Sequence, residues 1–339
     1  MEFVHILGTL RFSEDLLDSL RAVSPRVQVS QQTCHNAQEV AAALADHPAT
    51  EVLYTFHLPD NALELAPRLR WVQLHSAGAD HLLGRPIMAS DLLITTSSGI
   101  HATPIAEYVF ASILAYRWRV PHWTACQRQA RWPSGRWELY ARPELRGSTL
   151  GILGYGSIGR EVGRLGRAFG MRVLALRRSA GRAEQGYTVP GTGDPDGTIP
   201  ERFYPPEALH EMLAECDYVV VALPLTPDTH HLIAEAELRA MKPSAYLVNI
   251  ARGAIVDEAA LVRALREGWI GGAGLDVFEQ EPLPADSPLW TLENVLLSPH
   301  VAGFTPHYDR RAAALFAENL RRYLAGEPLL NLVDRARGY

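Results

Sequence analysis

Four side chains suited to anion binding and proton transfer recur in one setting along this chain. Arg252 follows the apolar run Val248-Asn249-Ile250-Ala251, Asp276 and Glu281 follow Gly274-Leu275, and His300 follows Leu296-Leu297-Ser298-Pro299. Each run reads as a strand, so each of these groups sits at a strand's C-terminal end. Arginine offers a planar, permanently charged fork that can hold two oxygens at once. Histidine titrates near neutral pH and can give a proton in one direction and take it in the other. A neighbouring carboxylate stabilises its imidazolium form. Taken singly, each residue has an ordinary explanation as a core or surface group; their shared placement makes them a candidate site.

The element that gives the placement meaning is Leu150-Gly151-Ile152-Leu153-Gly154-Tyr155-Gly156-Ser157-Ile158-Gly159. An apolar strand runs into G-x-G-x-x-G, then a helical pattern with Ile158, Val162, Leu165 and Phe169 on one face, then a second strand from Arg172. That context makes the glycines a dinucleotide-binding fingerprint. Gly154 allows the tight turn, Gly156 lets backbone amides approach a pyrophosphate, and Gly159 lets helix and strand pack closely. The helix N-terminus then faces the phosphates with unpaired amides. Six strands of a doubly wound sheet follow from the pattern: 150–153, 172–176, 218–222, 246–250, 272–277 and 295–298. Arginine, glutamate and histidine can therefore converge where a bound nicotinamide would lie. A 2-oxo acid needs its carboxylate and carbonyl held and a proton delivered as hydride arrives, and these residue types suit that task.

The stretch before the fingerprint is a separate α/β unit. Strand-like runs at 3–7, 27–29, 52–56, 71–74 and 92–95 alternate with helical patterns at 14–23 and 38–45, which implies a covered parallel sheet. Two loops there look more than structural. His75-Ser76-Ala77-Gly78-Ala79-Asp80 is rich in small residues after a strand, and Ser98-Gly99-Ile100-His101-Ala102-Thr103-Pro104 leads into a long apolar helix through Arg117. Thr103 as N-cap and Pro104 at the first helical position fit that start, and the helix is expected to cross between domains. Residues 121–149 read as irregular; their Trp123, Trp132, Trp137 and Tyr140 line a pocket, line a subunit interface or pack the loop down. Residues 180–206 read as a surface insertion with no chemistry. A last helix runs from Thr305-Pro306 through Ala325 and returns the C-terminus to the first unit.

Composition narrows the class. A net charge of −6 with pI near 6.1 gives no footprint of nucleic-acid binding. Cys34, Cys126 and Cys216 stand in no metal or redox spacing and read as free thiols of a reducing compartment. No metal site is expected. Met1-Glu2-Phe3-Val4-His5 lacks a charged leader, and no apolar run reaches membrane-span length, so a soluble cytoplasmic protein is expected.

The glycine turn, Asn249-Ile250-Ala251-Arg252-Gly253, the 276–282 run and Ser298-Pro299-His300, with Ser76-Ala77-Gly78-Ala79-Asp80 and Ala106-Glu107, together resemble the D-isomer-specific 2-hydroxyacid dehydrogenase family, and glyoxylate/hydroxypyruvate reductases within it. The likeness runs through nearly the whole chain. It implies two Rossmann-like α/β domains with doubly wound parallel sheets and a cleft between them: a flavodoxin-like substrate domain of residues 1–103 plus 301–339, and a dinucleotide domain of 104–300. It also implies a homodimer. By this resemblance Arg252 binds and polarises a small 2-oxo acid, His300 is the acid/base and Glu281 its partner. The amides of Ala77 and Gly78 would hold the substrate carboxylate. Asp276 would meet the nicotinamide carboxamide, Ser157 and Ile158 the pyrophosphate, Leu223-Pro224 the adenosine side, with Ile250 and Gly303 completing the cofactor set. Some relatives are phosphoglycerate dehydrogenases, phosphite-oxidising enzymes or dinucleotide-sensing co-repressors; the chain is too short for the regulatory domain of some of the first, and Glu281 departs from the glutamine of formate dehydrogenases.

Cofactor choice is a separate inference. The second strand of NAD enzymes of this fold ends in an acid that binds the ribose hydroxyls. Here that place holds Arg177-Arg178-Ser179, with no acid before Glu184, so NADP(H) is favoured over NAD(H). His75, His81 and His101 depart from the small or amide residues usual near such a site; they shape substrate choice or serve packing.

Overall fold

The computed structural model describes residues 3–178 and 186–335. The chain divides into two compact units. The first runs to His101, takes in a short passage ending at Val189 and resumes at Thr305; the second begins at Ala102, resumes at Pro190 and ends at Phe304. The divisions thus fall two residues before, and four residues after, the boundaries read from the sequence.

Among the described residues, the first unit carries five parallel strands: β1 Val4–Gly8, β2 Val27–Gln31, β3 Val52–Thr55, β4 Trp71–Leu74 and β5 Leu93–Thr95, in the spatial order β2-β1-β3-β4-β5. β3 and β4 are buried along their whole length, as expected of inner strands covered on both faces. Helices Glu14–Arg21 and Tyr308–Ala325 pack together on one face, around Trp71, Tyr54 and Phe316. Val40, Leu44, Leu53, Val72 and Leu74 belong to a second core cluster.

Among the described residues, the second unit carries seven parallel strands: β6 Thr149–Leu153, β7 Arg172–Leu176, β8 Arg202–Tyr204, β9 Tyr218–Val221, β10 Tyr246–Asn249, β11 Gly272–Leu275 and β12 Val295–Leu297, ordered β12-β11-β10-β9-β6-β7-β8. The order reverses between β6 and β9, which is where open sheets of this kind bind ligands. Six strands agree with the sequence pattern. The seventh, β8, lies inside the stretch read as a chemistry-free insertion. Its backbone pairs with the β7 edge, and Tyr204 is buried, so that reading was wrong for 202–204. Residues 121–149 are not wholly irregular either: helices Val120–Arg128 and Arg136–Tyr140 form there. The long apolar helix is Ala102–Arg117, so Thr103 lies within it rather than capping it, and Pro104 falls in the first turn, where its missing N–H costs nothing. Among the described residues, no helix is long and apolar enough to cross a membrane, and no group of three or more His, Cys, Asp or Glu could hold a metal ion. All three cysteines are buried and free.

Candidate active site

The nucleotide end of the second unit is built by glycines that fit each other. Gly154 adopts φ +97°, and a Cβ there would come within 2.5 Å of the Ala222 carbonyl at the end of β9. A Cβ at Gly159 would lie 2.2 Å from the Gly154 carbonyl. Gly156 is different: a Cβ there would meet nothing within 4 Å. The turn is therefore packed on its inner side and open where the Ser157–Ala168 helix begins, with Ser157 and Ile158 half-buried at that end. Early helix amides lack partners within their own helix and suit an anion. The residues fit a dinucleotide pyrophosphate.

Across the sheet, neighbouring parallel strands bring the chemistry together. β10, β11 and β12 lie side by side, so the loops after them leave the same edge, over a span of about 10 Å. Arg252 follows β10, Glu281 follows β11 and His300 follows β12. Glu281 Oε2 lies 2.7 Å from His300 Nδ1, while its Oε1 accepts the Phe278 amide at 3.1 Å. The pair is half-exposed, His300 at 51% and Glu281 at 37%, so the imidazole is held by one nitrogen and reachable at the other. Arg252 donates from Nη1 to the Ala251 carbonyl at 2.8 Å. Its turn is braced by Asn249, whose amide donates to the Arg252 carbonyl at 3.0 Å and whose Oδ1 accepts the Ala251 N–H at 3.1 Å. A Cβ at Gly253 would collide with the Phe278 backbone at 1.8 Å, so the Arg252 and Glu281 loops lie in direct contact.

His300 sits at φ +54°, in the left-handed region that few residues other than glycine enter. The buried Asp276 holds it there. Asp276 Oδ1 accepts from Ser298 Oγ at 2.5 Å and from the Val301 amide at 2.9 Å; Oδ2 accepts the Ala302 amide at 2.9 Å. Ser298 Oγ also lies 2.7 Å from the Tyr108 hydroxyl, on the Ala102–Arg117 helix. Asp276 thus braces the histidine's turn from below, a task its position in the sequence did not suggest.

The other sequence-derived positions are placed as follows. Leu223 and Pro224 are half-buried in the loop after β9, which Thr229 ties down by donating to the Pro224 carbonyl at 2.6 Å. Ile250 is a buried core residue at 7% exposure, and Gly303 lies half-buried just past the histidine turn. Arg177 continues the β7 ladder, its amide donating to the Tyr204 carbonyl at 3.0 Å, and its guanidinium carbon stands 5.5 Å from the centre of the Phe203 ring. Arg178 is exposed and faces Asp228 at 3.5 Å. The chain has no acid of its own between Arg177 and Glu184; the fold supplies one, Asp228, from the loop after β9. Ser179 lies outside the described residues.

In the first unit, Ser76 ties its loop by donating to the Gly78 carbonyl at 2.8 Å, and Ala77 is exposed. Just before it, His75 Nδ1 lies 2.7 Å from the Tyr54 hydroxyl. The Tyr308 ring stands between two histidines, 4.5 Å from His75 and 4.8 Å from His101. Burial pushes both imidazoles down to about 4, helped by His101 near His75 and by Arg311 near His101, so both are neutral at physiological pH. Asn249, Ser298, Tyr108, Thr229 and Asp228 were missed. Asn249 and Ser298 stood inside motifs already singled out, and Thr229 ties its own loop to Pro224 nearby; the partners of Tyr108 and Asp228 are far away in sequence.

The NAD binding domain of the D-isomer specific 2-hydroxyacid dehydrogenase family matches residues 110–302. A glyoxylate reductase of Aeropyrum pernix is 40% identical over 291 residues, 85% of this chain and 83% of that protein. One from Korarchaeum cryptofilum is 38% identical over 299 residues, 86% and 83% of the two chains. Among solved structures, a D-isomer specific 2-hydroxyacid dehydrogenase from Xanthobacter autotrophicus, in complex with NADPH and MES, superposes with a TM-score of 0.77 at 30% identity, covering 100% of both chains. The chain belongs to the D-isomer specific 2-hydroxyacid dehydrogenase family and is an NAD(P)-dependent dehydrogenase.

Proposed function

We propose that this enzyme reduces a small 2-oxo acid of the glyoxylate or hydroxypyruvate kind to its D-2-hydroxy acid, with NADPH preferred over NADH. The observation that carries the reading is the 2.7 Å contact between His300 Nδ1 and Glu281, on the sheet edge that also bears Arg252. It is supported by the names of the curated relatives and by the NADPH bound in a related structure.

The glycine turn and the start of the Ser157–Ala168 helix would hold the pyrophosphate of a reduced nicotinamide dinucleotide, which would supply the hydride. The residues do the rest. Arg252 directs its fork at the carboxylate and carbonyl oxygens, holding the substrate and drawing charge onto the carbonyl oxygen. The Ala77 and Gly78 amides take the carboxylate. Protonated His300 donates Nδ1–H to Glu281, which leaves Nε2–H to deliver the proton to that oxygen; in oxidation the same nitrogen takes it back. Asp276 keeps the imidazole aimed, and its remaining acceptor capacity serves the carboxamide. On the adenosine side, Ser157, Ile158, Leu223 and Pro224 meet the nucleotide, and Arg177, Arg178 and Ser179 receive the 2′-phosphate.

We place the enzyme in the cytoplasm, a setting that suits three free thiols, and expect a homodimer, which light scattering checks. The deciding experiment measures kcat/KM for glyoxylate, hydroxypyruvate, pyruvate and 3-phosphohydroxypyruvate with each nucleotide. Turnover of the first two, faster with NADPH, is expected; no turnover, or a clear NADH preference, defeats the corresponding part of the reading.

A further inference from the structure

The residue between the first two glycines of the fingerprint is an aromatic that turns inward. Tyr155 is 4% exposed. Its ring lies along the helix it precedes, so that a Cβ at Gly163 would come within 2.9 Å of its hydroxyl, and the Arg160 guanidinium carbon stands 5.1 Å from the ring centre. The hydroxyl donates to Asp194 Oδ2 at 2.8 Å. Asp194 belongs to the loop read from the sequence as a plain insertion, and it is 5% exposed. Its carboxylate also accepts the Thr198 amide at 3.0 Å and the Ile199 amide at 2.9 Å. Its carbonyl accepts from the Arg160 guanidinium. One residue earlier, the Gly193 amide donates to Glu161 at 2.6 Å, and Glu161 pairs with Arg164. Burial works against the charge on Asp194, but the Ile199 and Thr198 amides and the Tyr155 hydroxyl hold its carboxyl below the usual carboxylate range.

Three charged residues, Arg160, Glu161 and Asp194, are therefore buried to lash one loop to the helix that starts at the glycine turn. Buried charge is a poor source of net stability, since apolar packing of the same volume often does as well. What such a network does well is fix atoms in place. We propose that Asp194 is a positioning residue for the nucleotide: by gripping Tyr155 it fixes the backbone from Gly154 to Ser157, whose open side takes the pyrophosphate. This rests on the reading of the glycine turn as the cofactor's phosphate site. A loose turn would have to be ordered by the ligand, and that ordering lowers affinity without touching the chemical step.

The test compares wild type with Tyr155→Phe, which deletes one oxygen, Asp194→Asn and the double variant. Three quantities are read: Kd for NADPH and NADH by nucleotide fluorescence, amide hydrogen exchange over residues 154–160 in nucleotide-free protein, and the split between KM and kcat. Each single variant is expected to raise Kd and nucleotide KM roughly fivefold to twentyfold, as loss of a hydrogen bond to a charged group allows, with kcat within about twofold. Exchange over 154–160 should quicken by a similar factor, and the double variant should be no worse than the more affected single, because both cut one link. If Asp194→Asn does not fold, Tyr155→Phe carries the test. Unchanged Kd and exchange in a folded Tyr155→Phe overturn the proposal, as does a loss confined to kcat. Wild type that binds neither nucleotide overturns the cofactor reading itself, an outcome distinct from wild type and variants binding equally well.

Discussion

Replacing Ser298 by alanine probes how the proposed proton donor, His300, is aimed. The hydroxyl bridges Asp276 at 2.5 Å and Tyr108 at 2.7 Å. Its removal leaves Asp276 Oδ1 with the Val301 amide and takes from the Tyr108 hydroxyl its hydrogen-bond partner. A hydrogen bond to a charged group contributes about 1.5–3 kcal/mol, and the lower figure applies because Ser298 and Tyr108 are only half-buried. On the other side stands the left-handed backbone of His300, which costs about 1–3 kcal/mol and persists only where the surroundings over-determine it. The two quantities are comparable, so the turn should relax in a large part of the molecules. About 1.5 kcal/mol corresponds to roughly a tenfold loss of kcat/KM. The loss should appear mainly in kcat, with nucleotide Kd unchanged and the melting temperature lowered by only a few degrees, and Tyr108→Phe should cause a smaller loss of the same kind. Steady-state kinetics with saturating nucleotide measure it. Full wild-type kcat in Ser298→Ala would refute the idea that this hydroxyl helps hold the histidine.

Three further outcomes are expected. His300→Ala should lower turnover by about 10²–10⁴ while nucleotide fluorescence still reports binding, and near-normal turnover would remove His300 from its role. Asp228→Asn should raise kcat/KM for NADPH relative to NADH by roughly threefold or more, because the acid 3.5 Å from Arg178 opposes a 2′-phosphate; a fall in the ratio would reverse that assignment. His75 and His101 titrate at about 4 in the fold against about 6.5 unfolded, so the unfolded chain binds more protons in between, and stability drops as pH falls from 6.5 towards 4 and levels off below it. At pH 5 the two together cost up to roughly 4 kcal/mol, and urea midpoints at pH 7 and 5 for wild type and His75→Asn/His101→Asn should show the variant losing less on acidification.

What could be read from the sequence was local, and what could not was made by distant partners. The glycine turn, β4 and the residues after β10, β11 and β12 announce themselves through period and punctuation within a few residues. β8 does not: three residues between Pro200 and Pro205 are too short to show alternation, and their strand character comes from the β7 edge beside them. Helices Val120–Arg128 and Arg136–Tyr140 were hidden because each starts after a left-handed residue, Arg119 and Gly135, in a stretch whose tryptophans and prolines suggest a loop. The grip of Asp194 on Tyr155 and of Asp228 on Arg178 could not be found at all, since these partners stand 39 and 50 positions away. The pairing of Glu281 with His300 came from resemblance, and its bracing by Asp276 needed coordinates.

The position of β12 carries one last consequence. It is three residues long, half-exposed throughout, and the outermost strand of its sheet, joined among the described residues to β11 alone, whereas β6 beneath the glycine turn is buried and has a neighbour on each side. The proposed proton donor hangs from the hem of the fabric and the glycine turn from its centre. Hems fray first, so gentle warming or dilute denaturant should silence turnover while nucleotide still docks, and the enzyme should regain activity on cooling without refolding as a whole.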